Sequence, residues 1–210
     1  MSPAASAAAS DPSAASRGRR LEFDPEEALA AALLVFWERG YDGASLTALT
    51  EAMGINKPSL YARFGNKEAL FLKALDLYER EWLGYTRIAL QAETAKGVAE
   101  ALLFGALKSQ ADHRWPAGCL SLHSTMPSGG QISSVRSAAM ERRIASETAL
   151  VERFKAAKAA GDLPDPIDPV ALARLLWTIA QGLCLQAANG AKAADLRRMA
   201  ETALAIWPGR

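Results

Sequence analysis

From Leu21 onward the chain reads as a series of Ala- and Leu-rich segments whose apolar residues recur with a period near 3.6, separated by short clusters containing Gly and Pro. That period lines up apolar side chains on one face of an α-helix, and no convincing alternating stretch for a half-buried strand is present. The expectation is an all-α fold. Half of the 210 residues are apolar, which suffices for the core of one or two compact domains and excludes collagen-like, fully disordered and disulfide-scaffold architectures. The longest unbroken apolar run, Ala28 to Trp37, is shorter than the roughly 18 residues of a spanning helix, so no membrane segment is expected.

Residues 1–20 are rich in Ala and Ser, lack aromatics and cannot offset the entropy of ordering, so they read as a disordered arm. The basic residues Arg17, Arg19 and Arg20 follow the Ala/Ser stretch, the reverse of a secretory signal, which argues against export. Two cysteines, Cys119 and Cys184, fit thiols in a reducing cytoplasm better than a disulfide framework. A net charge of +1 excludes a polycation that holds nucleic acid by bulk charge and leaves open a local basic patch.

The first helix opens at Asp24-Pro25-Glu26-Glu27, with Asp24 placed to cap and Pro25 at the first helical position. Leu29, Leu33, Phe36 and Trp37 form its stripe and Gly40 stops it. Ser45 can cap a short second helix, Leu46 to Met53, with Leu46, Leu49 and Met53 inward. After a turn at Gly54-Ile55, Asn56 can cap a third, Lys57 to Phe64. Gly65-Asn66 ends that helix and opens a long fourth one to about Ile88, with the stripe Leu70, Phe71, Ala74, Leu75, Tyr78, Trp82 and Tyr85. Further helices are expected at about 95–113, 133–160, 168–190 and 193–206, with a short one near 119–125. In the 168–190 helix Leu172, Leu176, Ile179 and Leu183 make one stripe, and Ala173, Trp177, Ala180 and Cys184 another, so burial on two sides is expected. A second copy of the chain would cover one side, with Leu196, Met199 and Ala203 joining that interface.

Two short helices meeting at a Gly turn, Leu46 to Phe64, have the layout of a helix-turn-helix, whose second helix lies in a DNA major groove. On that second helix Lys57, Ser59, Tyr61 and Arg63 are all hydrogen-bond donors, while Leu60 and Phe64, four apart, face the core. Between Lys57 and Lys73 four cations stand against Glu68 alone, whereas Leu21 to Asn56 holds Arg39 against seven carboxylates. Basic charge is therefore concentrated where DNA would lie.

With these residues in place, the segment 24–75 resembles the TetR family of bacterial transcriptional regulators. The likeness runs through Phe36-x-x-x-Gly40-Tyr41, Ser45-Leu46, Gly54-Ile55-Asn56, Ser59-Leu60-Tyr61-Ala62-Arg63-Phe64 and Asn66-Lys67-Glu68-Ala69-Leu70-Phe71. Leu49-Thr50 departs from the Ile-Ala pair more frequent in the family, and Thr50 reads as a surface change. The resemblance implies an all-helical homodimer. Each three-helix N-terminal domain would read half of a near-palindromic double-stranded operator, and a C-terminal helical domain would bind a small organic effector and dimerise. The corresponding boundaries are 21–67 and 68–210. By position in the motif, Lys57, Pro58 and Ser59 enter the groove, and Ser45, Thr47, Tyr61 and Lys67 meet phosphates. Lys67 has a further rationale, since first-turn amides and the helix dipole also favour phosphate there. Arg17, Arg19 and Arg20 form either an arm into the minor groove or a solvated tail.

In the second domain His113, Trp115, Cys119, His123 and Met126 cluster around the central loop, with Met140, Phe154, Trp177 and Gln181 on helices that can face it. Two readings stay open, an apolar effector cavity with polar anchors or plain core. Cys119 and His123 are four apart, a spacing that would let imidazole lower the thiol pKa. That spacing admits a redox-sensing regulator or a small cytosolic thiol enzyme as alternatives to an effector-released repressor. Two ligands do not make a metal site, and neither a metal nor a cofactor is expected. No phosphate loop, Gly-x-Ser-x-Gly elbow or His-Glu-x-x-His occurs, so no catalytic residue is assigned.

Overall fold

The computed structural model describes residues 24–125 and 134–208. They form ten helices and, among the described residues, no strand: α1 (Pro25–Gly43), α2 (Leu46–Ala52), α3 (Lys57–Phe64), α4 (Lys67–Glu81), α5 (Gly84–Ala89), α6 (Ala95–Gln110), α7 (Leu120–Thr125), α8 (Ser134–Ala159), α9 (Pro169–Ala188) and α10 (Ala193–Ala205). The residues expected to cap do so. The Asp24 carboxylate accepts from Glu26 N at 2.8 Å, Ser45 Oγ from Ala48 N at 3.1 Å, and Asn56 and Asn66 each accept at 2.8 Å from the amide three residues on. Gly40 turns α1 with φ of +68° and ψ of 172°, so the regular helix ends there, and only one more turn precedes Ser45.

Two cores hold the helices together. In the first, α1 packs along α4, and Leu33, Phe36, Leu49, Leu60, Leu70 and Phe71 are closed to solvent. Each such side chain contributes about 1.5–3 kcal/mol relative to exposure. Leu120 of α7 and Val135 and Ala139 of α8 join this core, which ties the helix-turn-helix to the rest of the chain. Trp37 is the aromatic hub, edge-on to Tyr78 at 4.8 Å and to Trp82 at 5.3 Å. The second core is built from α6, the C-terminal half of α8, α9 and α10 around Leu102, Leu103, Phe154, Leu176 and Leu183.

Three expectations are corrected. The single fourth helix is two, α4 and α5, because the Tyr78 carbonyl accepts from both Trp82 N at 2.9 Å and Leu83 N at 3.1 Å and the regular register ends. Past the break Tyr85 presses on Gly105 of α6, so closely that a Cβ at 105 would fall 2.6 Å from Tyr85 Cδ2. Thr50 lies in the first core at 8% exposure, and this is possible because its hydroxyl donates to Leu46 O at 2.9 Å and Thr47 O at 3.0 Å within its own helix.

The third correction concerns α9. Both of its stripes pack mainly inside the protomer, against α6, α8 and α10, so Leu172, Leu176 and Leu183, with Leu196 of α10, are interior residues and not surface for a partner. Among the residues expected at a dimer face, Met199 is exposed at 44% and Ile179 and Ala203 are half-buried, bordering Ile206 in a surface hollow. Over its 20 residues α9 is also long and apolar enough to cross a membrane, with mean hydropathy 1.3 over its best window. Counting unbroken runs hides this, because Arg174, Thr178 and Gln181 interrupt the pattern. The face left uncovered carries Leu175 and Leu185.

Candidate nucleic-acid interface and central cavity

Between α2 and α3 the chain turns at Gly54, with φ of +64°, and the turn is closed by Gly54 N to Glu51 O at 3.2 Å and Ile55 N to Thr50 O at 3.1 Å. Leu60 and Phe64 anchor one side of α3 in the first core. Lys57, Pro58, Tyr61 and Arg63 are exposed on the other side, with Ser59 half-buried beside them. Pro58 falls in the first turn, where its missing N–H breaks no helical bond. Ser45 and Thr47 are exposed at the N-terminus of α2. The Ser45 oxygen caps the helix while its O–H remains able to donate to a phosphate.

Lys67 opens α4 and is half-buried. Its Nζ lies 4.4 Å from the centre of the Tyr41 ring, a cation–π contact between the start of α4 and the end of α1. Partial burial lowers its pKa, and Asp42 works in the opposite direction. Tyr41 was recognised only as part of a motif, and its contact with Lys67 is the element that sequence reading missed here. Arg17, Arg19 and Arg20 lie outside the described residues.

The residues expected around the central loop divide. Cys119, Trp177 and Gln181 line a cavity of about 30 Å³ enclosed by α4, α5, α7, α8 and α9. Trp177, half-buried, is thus part of the cavity wall. His113 and His123 are exposed, Trp115 stacks on Trp37 at 6.1 Å, and Met140 is half-buried outside the lining. Phe154 is closed into the second core against Trp207 at 5.8 Å. Met126 lies outside the described residues. The sequence signal failed for these because helical periodicity says that a residue faces inward but not which of several interiors it reaches.

Missed entirely were Glu79 of α4 and Arg142, Arg143 and Ser146 of α8, all at the cavity wall. Arg142 spans from α8 to α4, with Nη1 2.6 Å from Asp76 Oδ1 and 3.3 Å from Glu79 Oε2. Burial, more than any other influence, raises the Glu79 pKa, and Arg142 pulls it back.

The alternative of an activated Cys119 is not favoured. Burial pushes its thiol pKa up, and its Sγ accepts from the Tyr78 hydroxyl at 3.2 Å, while no pull from His123 is present. Burial pushes Cys184 up to about 12. Both sulfurs are neutral thiols at physiological pH, which disfavours a thiolate-based redox sensor or thiol enzyme. Among the described residues no cluster of three or more potential metal ligands exists.

A short capped helix carrying donors on its solvent face, set by a Gly turn against a second helix and backed by a third, defines a helix-turn-helix protein with an appended helical domain. Residues 28–74 match the family described as bacterial regulatory proteins, tetR family, and residues 99–203 match the tetracyclin repressor-like C-terminal domain. The chain is 34% identical to the HTH-type transcriptional repressor ComR of Escherichia coli over 92% of its own length and 93% of that protein. It also resembles a cysteine-substituted form of the TetR family transcriptional regulator CifR complexed with a 26-base-pair operator duplex. There the identity is 38%, the TM-score is 0.83, and the match covers 90% of this chain and all of that one. A regulator from Rhodococcus is 36% identical over 87% of this chain and 98% of that one, with a TM-score of 0.59. The protein belongs to the TetR family, a family of transcriptional regulators.

Proposed function

We propose that the protein is a transcriptional repressor that binds a near-palindromic operator as a homodimer and is released from it by a small organic effector. The observation that carries this reading is α3 itself, anchored by the buried Leu60 and Phe64, with the donors Lys57, Tyr61 and Arg63 exposed to solvent and Ser59 half-buried among them. In this reading Lys57, Pro58 and Ser59 meet base edges, and Ser45, Thr47, Tyr61 and Lys67 meet phosphates. The repressor name of ComR and the operator complex of CifR support it. Residues 21–67 serve as the DNA-binding domain and 68–210 as the effector and dimerisation domain, acting in the bacterial cytoplasm where the chromosome lies.

The dimer face we assign to the surface hollow on α9 and α10 that holds the half-buried Ile179 and Ala203, the exposed Met199 and, just past α10, the exposed Ile206. Effector release works through α4, which begins at Lys67 and ends at the cavity with Glu79 and Trp82, so a shift at the cavity alters the spacing of the two α3 helices. Fluorescence anisotropy on DNA from upstream of the protein's own gene, titrated in salt against unrelated duplex, tests the reading. Binding about 10³-fold tighter to one upstream fragment, with a steep salt slope, is expected. Equal weak binding to every duplex tested would overturn it.

A further inference from the structure

We propose that the central cavity takes a small carboxylate with an apolar body, received by Arg143 and Arg142, and this rests on reading the cavity as the effector site. Three N–H groups carry the argument. Arg143 Nε, Trp82 Nε1 and Trp177 Nε1 are each buried without a hydrogen-bond partner among the described residues, and all three residues line this one cavity. A buried donor with no acceptor is costly, and although the indoles of Trp37 and Trp207 are unpartnered elsewhere, only this cavity gathers three such residues, one of them a guanidinium, on its wall. The charge of the ligand follows from the cations. Arg142 is compensated by Asp76 and Glu79, whereas Arg143 makes no ion pair among the described residues. The Glu79 carboxylate on the same wall is taken up by Arg142, and the two thiols lining the cavity carry no counter-charge for Arg143, so an anion completes the site at Arg143.

The size and shape of the ligand follow from the space available. The inner cavity, at about 30 Å³, holds a carboxylate-sized group and little else. Directly beside it, sharing Ser146 and Trp177 as a common wall, is a second hollow of about 250 Å³ lined mainly by Leu90, Leu102, Ala149 and Leu150, with Thr86 and Arg87 as its polar members. Together the two approach the roughly 300 Å³ at the lower end of small-molecule sites, with the polar head inside and the apolar body in the outer hollow. The carboxylate also competes with Asp76 and Glu79 for Arg142. Breaking that bridge removes the ion pairs between α8 and the C-terminal half of α4, so the same contact that binds the ligand alters the seat of the helix carrying Lys67.

The test uses the full-length protein and a matched panel: butanoate, hexanoate, octanoate, benzoate and phenylacetate, each beside its primary amide and the amine of equal length. Binding is followed by tryptophan fluorescence and operator release by anisotropy. At least one acid is expected to bind about tenfold or more tighter than its amide, with the amine weaker still. Arg143→Gln should abolish that preference. Trp177→Phe, which keeps the ring and removes the N–H, should weaken the acid roughly three- to tenfold and serves alone should R143Q fail to fold. The proposal is overturned if no acid binds by about 10 mM, if amide or amine binds as well as acid, or if folded R143Q and W177F both bind acid like the native chain. An amide or amine that releases the operator overturns this proposal and leaves the regulator reading standing. Acid binding that leaves the operator complex intact upholds the cavity chemistry and overturns the effector role.

Discussion

Asn56→Asp should move stability and DNA affinity in opposite directions. The Asn56 side chain caps α3 by accepting from Ser59 N at 2.8 Å, and α3 has only eight residues, too few to persist without its cap and its packing. Asn56→Ala removes the acceptor and should cost about 1 kcal/mol. Asp retains the acceptor and adds a negative charge at the positive end of the helix dipole, which contributes about 0.3–1 kcal/mol, so N56D should match or exceed the native chain in denaturant melts. On DNA the same charge stands at the end of α3 that enters the groove and repels phosphate. If each subunit loses the equivalent of one phosphate contact, the slope of log K against log salt should become shallower by about 1.8 for the dimer. Chemical denaturation and salt-titrated anisotropy on the same preparations read both effects. If N56D keeps native affinity and slope at low salt while N56A shows the expected loss of stability, the N-terminus of α3 does not face the nucleic acid and the interface assignment fails.

Lys67→Ala should weaken binding to all sequences alike and reduce the salt slope by about 1 per subunit, whereas Ser59→Ala should mainly change base preference; an unchanged slope for K67A would remove Lys67 from the phosphate contacts. Met199→Glu should raise the dimer dissociation constant at least about 100-fold by placing two unpaired carboxylates in an isologous contact, read by analytical ultracentrifugation. Leu176→Glu should instead unfold the protomer, because Leu176 is closed inside it. A dimer unaffected by M199E would place the interface elsewhere. Native Cys184, which is buried, should resist a thiol reagent at pH 8 and react on unfolding, and its rapid labelling in the folded chain would contradict that burial. Since burial raises the folded-state pKa of Cys184 from 9.0 to about 12, its neutral form stabilises the fold fully below about pH 9, and that contribution is lost as pH rises toward 12.

The reading helix and its frame were legible because the information is local. Ser45, Asn56 and Asn66 announce three helix starts, each a side-chain oxygen within three residues of the amide it caps, and α3 occupies the span its sequence predicts. Leu60 and Phe64, four residues apart, face inward by helical period alone. By contrast Thr50 looked like a surface residue, because nothing in the sequence says that its hydroxyl is satisfied by the carbonyls of its own helix and so freed for burial.

What the sequence by itself determined is therefore the all-helical character, most helix boundaries and the donor face of α3, since caps, periods and turns act over three or four residues. Tertiary structure alone decided where α4 breaks, which interior α9 fills and what lines the cavity. Tyr85 against Gly105, Arg142 on Asp76 and Glu79, and Trp177 beside Arg143 join residues distant in the chain. Their meeting depends on how whole helices pack, and no local period encodes that.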